Sequence, residues 1–390
     1  MTTARADRKL RIALVGLGFG AEFIPIYLHH PGVEELAICD SDAQRLAEIG
    51  EKFGIEQRFV SLDQILNSPR YDAVHLVTPI PVHAQQAIAV LGADKHCACT
   101  VPMATTIDDL RAIIDVQRRS GKHYMMMETA VFTREFLFVQ EMFRRGEFGN
   151  IQFLRGAHYQ DMENWPEYWM GLPPMHYATH AIAPLLRLAD RRAVQVHCFG
   201  SGLMRDELHQ QYGNPYPVET AIFQLEGTTL AAEVTRSLFA TARDYSESFC
   251  IYGEKATFEW PQLEWGEAAE SPVIFRMGAA QSGRGRPVVV ERIKPPDRQD
   301  LLPKAIQRFT QRGVYDASNP HLSFLQGGGH SGSHPHLVHE FVSSLLEDRN
   351  PSVDAVTAAT WTAAGICAHQ SAMNGGETVL IPQFRLDSIV

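Results

Sequence analysis

A chain of 390 residues, 45% of them apolar and 21% charged, can bury a large core and exceeds the usual size of one domain, so two domains are expected. A formal net charge of −10 argues against a nucleic-acid partner, and no run approaches the length of a membrane span, so no membrane partner is expected either. Met1 to Lys9 is short, polar and basic with no apolar segment behind it, and the six scattered cysteines read as reduced core thiols; both features predict a cytoplasmic protein.

Leu10 to Val15 is an apolar strand that runs into Gly16, Leu17, Gly18, Phe19, Gly20 and Ala21. Gly16 suits a tight turn, Gly18 lets backbone amides approach a pyrophosphate, and Ala21 is small enough for close helix packing. The next apolar run ends in Asp40, twenty residues after Gly20. A carboxylate there accepts from ribose hydroxyls and repels a 2′-phosphate, which predicts NAD over NADP, although Arg45 lies close enough to meet such a phosphate.

Strand candidates then recur at Arg58–Val60, Ala73–Val77, His96–Cys99 and Tyr124–Met127 between helical stretches, as in a doubly wound parallel sheet. Thr106-Ile-Asp-Asp109 has the pattern of a helix start. After Glu128 the rhythm changes to a helix near Arg134–Arg145 and then to alternating strands at 151–161, 193–202, 218–226, 229–237, 246–252 and 256–259. The fold expected is therefore α/β: an N-terminal Rossmann domain over 1–129, and a C-terminal α+β domain over 130–390 with a large, mostly antiparallel sheet. Ala279 to Pro303 reads as a surface excursion and Leu325 to His336 as a glycine-rich loop, followed by helices near 336–347 and 353–373.

Several polar groups could carry chemistry. On the strand from Ile151, alternation puts Leu154, Gly156, His158 and Gln160 on one side and Tyr159 and Asp161 on the other, so His158 faces the substrate if the first side faces the cofactor. His176 and His180 are four apart, which on a helix places them on one face with Tyr177 beside them. His180 could instead be a packed core histidine; no third ligand is spaced for zinc, so no metal is expected. Glu128, at the end of a parallel strand, could meet the nicotinamide ribose or a substrate hydroxyl, or pair with Arg134. Trp165 and Trp169 could form an apolar face under a substrate or simply pack, and His330 is the candidate from the glycine-rich loop.

The Gly16 loop, Thr78-Pro79 followed by His83, Asp94-Lys-His96 and Pro102 resemble the Gfo/Idh/MocA oxidoreductase family. The resemblance implies that Gly16, Gly18, Phe19, Gly20, Asp40, Thr78, Pro79, His83 and Pro102 line the cofactor. Where most of that family has Glu-Lys-Pro with a catalytic lysine, this chain reads Thr100-Val101-Pro102, and the family's Asp-x-x-x-His appears as His176-Tyr-Ala-Thr-His180. Val101-Pro-Met-Ala104, Met126-Met-Glu-Thr129 with Arg134, Gly156-Ala157 with Asp161, Tyr177-Ala-Thr-His180 with Pro184, and His330-x-Gly332 look like the NAD-dependent glycosidase branch of that family, glycoside hydrolase family 109 and its sulfoquinovosidase-like relatives. Family 109 carries a tyrosine and a histidine where this chain has His158 and Gln160.

That resemblance implies a redox-neutral glycosidase: transient oxidation at C3, loss of the C2 proton, departure of the aglycone from C1, addition of water and re-reduction. His180, Tyr177, His158 and Glu128 would be its catalytic groups, with His176, Tyr159, Trp165 and His330 contacting a glycoside such as a sulfoquinovoside or another hexoside. The resemblance also implies a homo-oligomer, a dimer or tetramer. A sugar dehydrogenase that releases NADH and a non-catalytic NAD-binding regulator are the alternatives.

Overall fold

The computed structural model describes residues 8–209, 211–243, 245–261, 271–279, 285–311 and 329–386. Two compact units emerge: one holds the described residues up to Phe132 together with Asp297–Ala359 and those from Phe384 on, and the other holds Thr133–Pro296 and Thr360–Gln383. Among the described residues no helix is long and apolar enough to cross a membrane, and all six cysteines are free thiols.

The first unit is built on a parallel sheet of β1 (Leu10–Val15), β2 (Val33–Cys39), β3 (Arg58–Phe59), β4 (Ala73–Leu76), β5 (His96–Cys99) and β6 (Tyr124–Met126), in the order β3-β2-β1-β4-β5-β6. The reversal of order beside β1 creates the crevice at the carboxyl ends of β1 and β4 where ligands collect in such sheets. Thr106 caps the helix Ile107–Ser120, its hydroxyl accepting from Asp109 N at 3.1 Å.

Residues 297–359 belong to this unit, whereas the sequence reading ran the second domain unbroken from 130 to 390. The cause is packing. Leu337, Val338, Phe341, Val342 and Leu345 on the helix His334–Glu347 are buried in the same core as Ile24, Ile26, Tyr27, Ile306 and Phe309. Burying five such side chains stabilises by roughly 1.5–3 kcal/mol each, enough to decide which unit a helix joins.

The second unit is a sheet of nine strands: β7 (Ile151–Tyr159), β8 (Ala193–Ser201), β9 (Val218–Leu225), β10 (Ala231–Ser237), β11 (Ser246–Gly253), β12 (Ala256–Glu259), β13 (Val273–Met277), β14 (Val288–Arg292) and β15 (Val379–Leu380). Their order is β14-β13-β12-β11-β7-β10-β9-β8-β15. All neighbours are antiparallel except β7 and β10, which are parallel, so the sheet is mixed. The surface excursion expected from 279 to 303 instead contains β14, whose Val288, Val289 and Val290 are exposed; without a buried face it lacks the alternation that marks a strand. The segments 280–284 and 325–328 of the expected loops lie outside the described residues.

The helix Thr179–Ala189 covers one face of this sheet. A Cβ on Gly156 would stand 2.2 Å from the Ala181 carbonyl oxygen, so only glycine lets β7 and this helix pack so closely. Close approach at that point brings the side chains two residues further along β7 under the start of the helix.

Candidate functional site

In the first unit the glycine loop leaves β1 with Gly16 at φ +91, its N–H donating to Cys39 O at 2.8 Å. A Cβ there would lie 2.2 Å from Val77 O, so the turn and the approach to the end of β4 both need glycine. At Gly18 the opposite holds: a Cβ would meet nothing within 4 Å, which leaves open space beside the loop backbone. No side chain caps the turn that follows at Gly20, with Phe19 in the N-cap position. Exposed amides beside open space are what a pyrophosphate requires.

Asp40 directly follows β2, with only 6% of its surface exposed. Its carboxylate accepts from Leu17 N and Asp42 N, both at 2.8 Å, and holds Arg45 Nη1 at 3.3 Å. The charge is thus fixed beside the glycine loop in reach of ribose hydroxyls, and Arg45 is engaged by Asp40 and Asp42. His83 is buried with Nε2 at 2.7 Å from Thr78 O and Nδ1 at 2.8 Å from Pro102 O, across a cis Val101–Pro102 bond, so it ties together the two loops that carry Thr78, Pro79 and Pro102. Burial lowers its pKa against the two carbonyls, which favour its charged form. Glu128 is fully buried and caps the turn Thr129–Val131 by accepting from Ala130 N at 2.9 Å. These residues fit a dinucleotide.

His330, expected as a substrate contact, lies in this unit, its ring 6.0 Å from Phe19 and 5.4 Å from His334. Glu22, which the sequence reading passed over, stands beside them, with Oε2 3.5 Å from His334 Nδ1. Burial pushes its carboxyl up to about 8, opposed by the charge of His330.

The second unit gathers a different set. His158 is fully buried, its ring 5.2 Å from His180, 6.0 Å from Tyr177 and 5.3 Å from Tyr245. His180 lies in the first turn of the covering helix and places Nε2 3.6 Å from Glu247 Oε1, which also accepts from the Tyr245 hydroxyl. Beneath them Arg236 is buried, donating from Nε to Tyr177 O (2.8 Å), from Nη1 to His158 O (3.2 Å) and Ser237 O, and from Nη2 to Gln160 Oε1 (3.0 Å). Burial lowers its pKa to about 9, while the Tyr177 and Glu247 charges oppose that. One guanidinium thus fixes the backbone at both His158 and Tyr177, a role its planar fork suits.

Strand register explains the convergence. Glu247 on β11 lies opposite His158 on β7, His158 opposite Arg236 on β10, and Arg236 opposite Glu219 on β9. Residues directly opposite share a face, so four ionisable side chains form one buried row across the sheet. Arg236, Glu219 and Glu247 were missed, although each stands in phase with buried apolar residues: Ala232 and Val234, Ala221 and Phe223, Phe249 and Ile251. A charge at an apolar position of an alternating strand was the available signal.

Other expected contacts lie apart from this cluster. His176 shares no helix face with His180, because Pro174–Tyr177 is a separate 3-10 turn and Ala178, at φ −112 and ψ 6, breaks the run. Its ring lies 4.9 Å from that of His369, and burial lowers its pKa to about 3. His369 in turn places Nδ1 2.7 Å from Glu219 Oε1. Tyr159 is on the other face of β7 under the Arg243 guanidinium, 6.0 Å from the ring centroid. Trp165 is exposed and edge-on to Trp169. Trp169 is the tryptophan that joins the cluster, edge-on to Tyr177 at 4.8 Å, and its buried Nε1 has no hydrogen-bond partner among the described residues.

Residues 10–128 match the model of an oxidoreductase family with an NAD-binding Rossmann fold. A glycosyl hydrolase family 109 protein of Bacteroides fragilis is 30% identical over 212 residues, 49% of this chain and 45% of that protein, so the match spans less than half of the relative. Another family 109 protein, from Phocaeicola vulgatus, is 22% identical over 98% of this chain and 85% of its own length. Among solved structures, levoglucosan dehydrogenase in complex with NADH and levoglucosan superposes with a TM-score of 0.75 at 20% identity, over 96% of this chain and all of that one, which shows a shared fold. Residues 10–128 are thus similar to that oxidoreductase family with its NAD-binding Rossmann fold, and NAD is the cofactor that fits them.

Proposed function

We propose that this protein is an NAD-dependent glycoside hydrolase acting on a hexoside through transient C3 oxidation, C1–C2 elimination, water addition and re-reduction. The observation that carries the reading is the meeting of His158, Tyr177 and His180 in the second unit of a chain whose Thr100-Val101-Pro102 offers no lysine for the hydroxyl proton. NAD, when bound, supplies the reversible oxidation at one sugar carbon.

The chain's own groups then have to move protons. His180 takes the proton of the C3 hydroxyl and returns it, a task imidazole performs near neutrality. Tyr177 lies 5.5 Å from His180 between ring centroids and is the phenol available to protonate the departing C1 oxygen. His158, whose ring lies 5.2 Å from His180 and 6.0 Å from Tyr177, removes and restores the C2 proton once the neighbouring carbonyl has acidified it. Arg236 holds the backbone that carries His158 and Tyr177, and its bonds to three carbonyls and Gln160 spend its charge inside the protein rather than on a substrate anion. The family 109 names of the relatives support the same reaction class.

The test is a panel of aryl glycosides, including a sulfoquinovoside, assayed with and without added NAD+ in deuterated water. Cleavage with deuterium at C2 of the released sugar and no stoichiometric NADH is the expected result. Sustained NADH production without cleavage would establish the dehydrogenase instead. His180→Ala is expected to lose about 10²-fold or more in turnover, the scale of a missing general acid–base group, while still binding NAD+.

A further inference from the structure

Glu219 is a carboxylate that the reaction scheme leaves without a task. None of its surface is exposed, and a carboxylate withdrawn from water persists only where donors or cations face it. Its Oε2 accepts from Met175 N at 2.8 Å and its Oε1 from His369 Nδ1 at 2.7 Å. Met175 belongs to the 3-10 turn Pro174–Tyr177, which ends on the phenol assigned to the departing C1 oxygen. The turn is fastened at both ends from adjacent strands. Glu219 on β9 takes the Met175 N–H, and Arg236, opposite it on β10, donates to Tyr177 O at 2.8 Å. The helix Ala355–Met373 backs the same turn: a Cβ on Gly365 would stand 2.1 Å from Met175 O, and His369 follows one helical turn later on that face.

We propose that Glu219 is a positioning residue of Tyr177: by holding the Met175 amide, it sets the turn that presents the phenol to the substrate. The two oxygens have separate tasks. Oε2 binds the turn, and Oε1, engaged by His369, keeps the carboxylate from swinging away from it. Tyr177 follows the held amide by only two residues, and a general acid displaced by about 1 Å loses much of its effect. Glu219 touches neither substrate nor phenol in this account; it acts through the backbone of residues 175–177, as Arg236 does from the carbonyl end.

This proposal rests on the reading of Tyr177 as the acid, and the experiment separates the two. In the aryl glycoside assay on the full chain, Tyr177→Phe is expected to lose about 10²-fold in turnover and Glu219→Leu about tenfold or more. If Glu219 acts only through the phenol, adding Glu219→Leu to Tyr177→Phe costs less than about a further twofold. Glu219→Gln, which can accept from Met175 N and donate to His369, is expected to keep most of the native turnover. Carbon-13 spectra of the chain labelled on its tyrosine rings, with Tyr177 assigned from Tyr177→Phe, supply a readout apart from activity: the Tyr177 signal is expected to move in Glu219→Leu and to return in Glu219→Gln. Losses that add in full in the double variant, native turnover in Glu219→Leu, or an unmoved Tyr177 signal overturns the proposal. Should the Leu variant not fold, Glu219→Asp, too short to reach both donors, takes its place in the cycle and in the spectra. A Tyr177→Phe enzyme with native turnover would sink the acid reading by itself, and the ring signal would then decide whether Glu219 holds the turn.

Discussion

Replacing Glu22 by glutamine should stabilise the protein by an amount that grows with pH. The folded carboxyl has its pKa raised from 4.5 to about 8, chiefly because burial disfavours its charge. A raised pKa means that the group's contribution to stability is complete below pH 4.5 and is lost as the pH climbs through 8. At pH 7 the unfolded carboxyl is ionised while the folded one remains protonated, a penalty of about 3 kcal/mol at 1.36 kcal/mol per unit; the same arithmetic gives about 1 kcal/mol at pH 5 and about 5 at pH 9. Glutamine has nearly the same shape and never ionises. Urea titrations of the NAD-free native and Glu22→Gln proteins at those three pH values should show the gap widening in that order. A gap that stays constant, or that narrows as the pH rises, would show that Glu22 is ionised in the fold and refute the reasoning.

Other expectations follow from single contacts. Gly18→Ala should leave the stability of the NAD-free protein unchanged, since its Cβ meets nothing within 4 Å, yet weaken NAD+ binding in a calorimetric titration; Gly16→Ala should cost about 1–3 kcal/mol in backbone strain alone, before the clash with Val77 O. Arg236→Lys keeps the charge but cannot reach all four acceptors, and should lower stability by about 2–4 kcal/mol in urea denaturation. His176→Asn should change turnover far less than His180→Ala in the aryl glycoside assay, because His176 packs on His369, away from the cluster.

The cofactor half was legible because its signals are local. A turn that needs φ +91 calls for glycine at 16, and a carboxylate placed for a ribose directly follows the next strand as Asp40, so both can be read within a few residues. His158 was found by two-residue alternation along β7, which the structure keeps from Leu154 to His158. The four-residue spacing of His176 and His180 misled, since Ala178 leaves the helical run and no spacing rule registers such a break. Arg236, Glu219 and Glu247 lie on three different strands, and only the register of β9, β10, β7 and β11 brings them into line. Register is set by pairing partners far apart in sequence. That 297–359 join the first unit was not legible for the same reason: an apolar helix face does not say which core it will join.

The buried row of Glu247, His158, Arg236 and Glu219 also bears on how the sheet assembles. Sliding any one of these strands by a single residue turns its ionisable group to the opposite face and leaves the remaining buried charges facing hydrocarbon. Misaligned pairings that purely apolar strands would tolerate are therefore penalised here by several kcal/mol each. The row that carries His158 thus doubles as an alignment check during folding, and substitutions that neutralise it should yield protein that still forms a sheet but loses the uniqueness of its strand pairing.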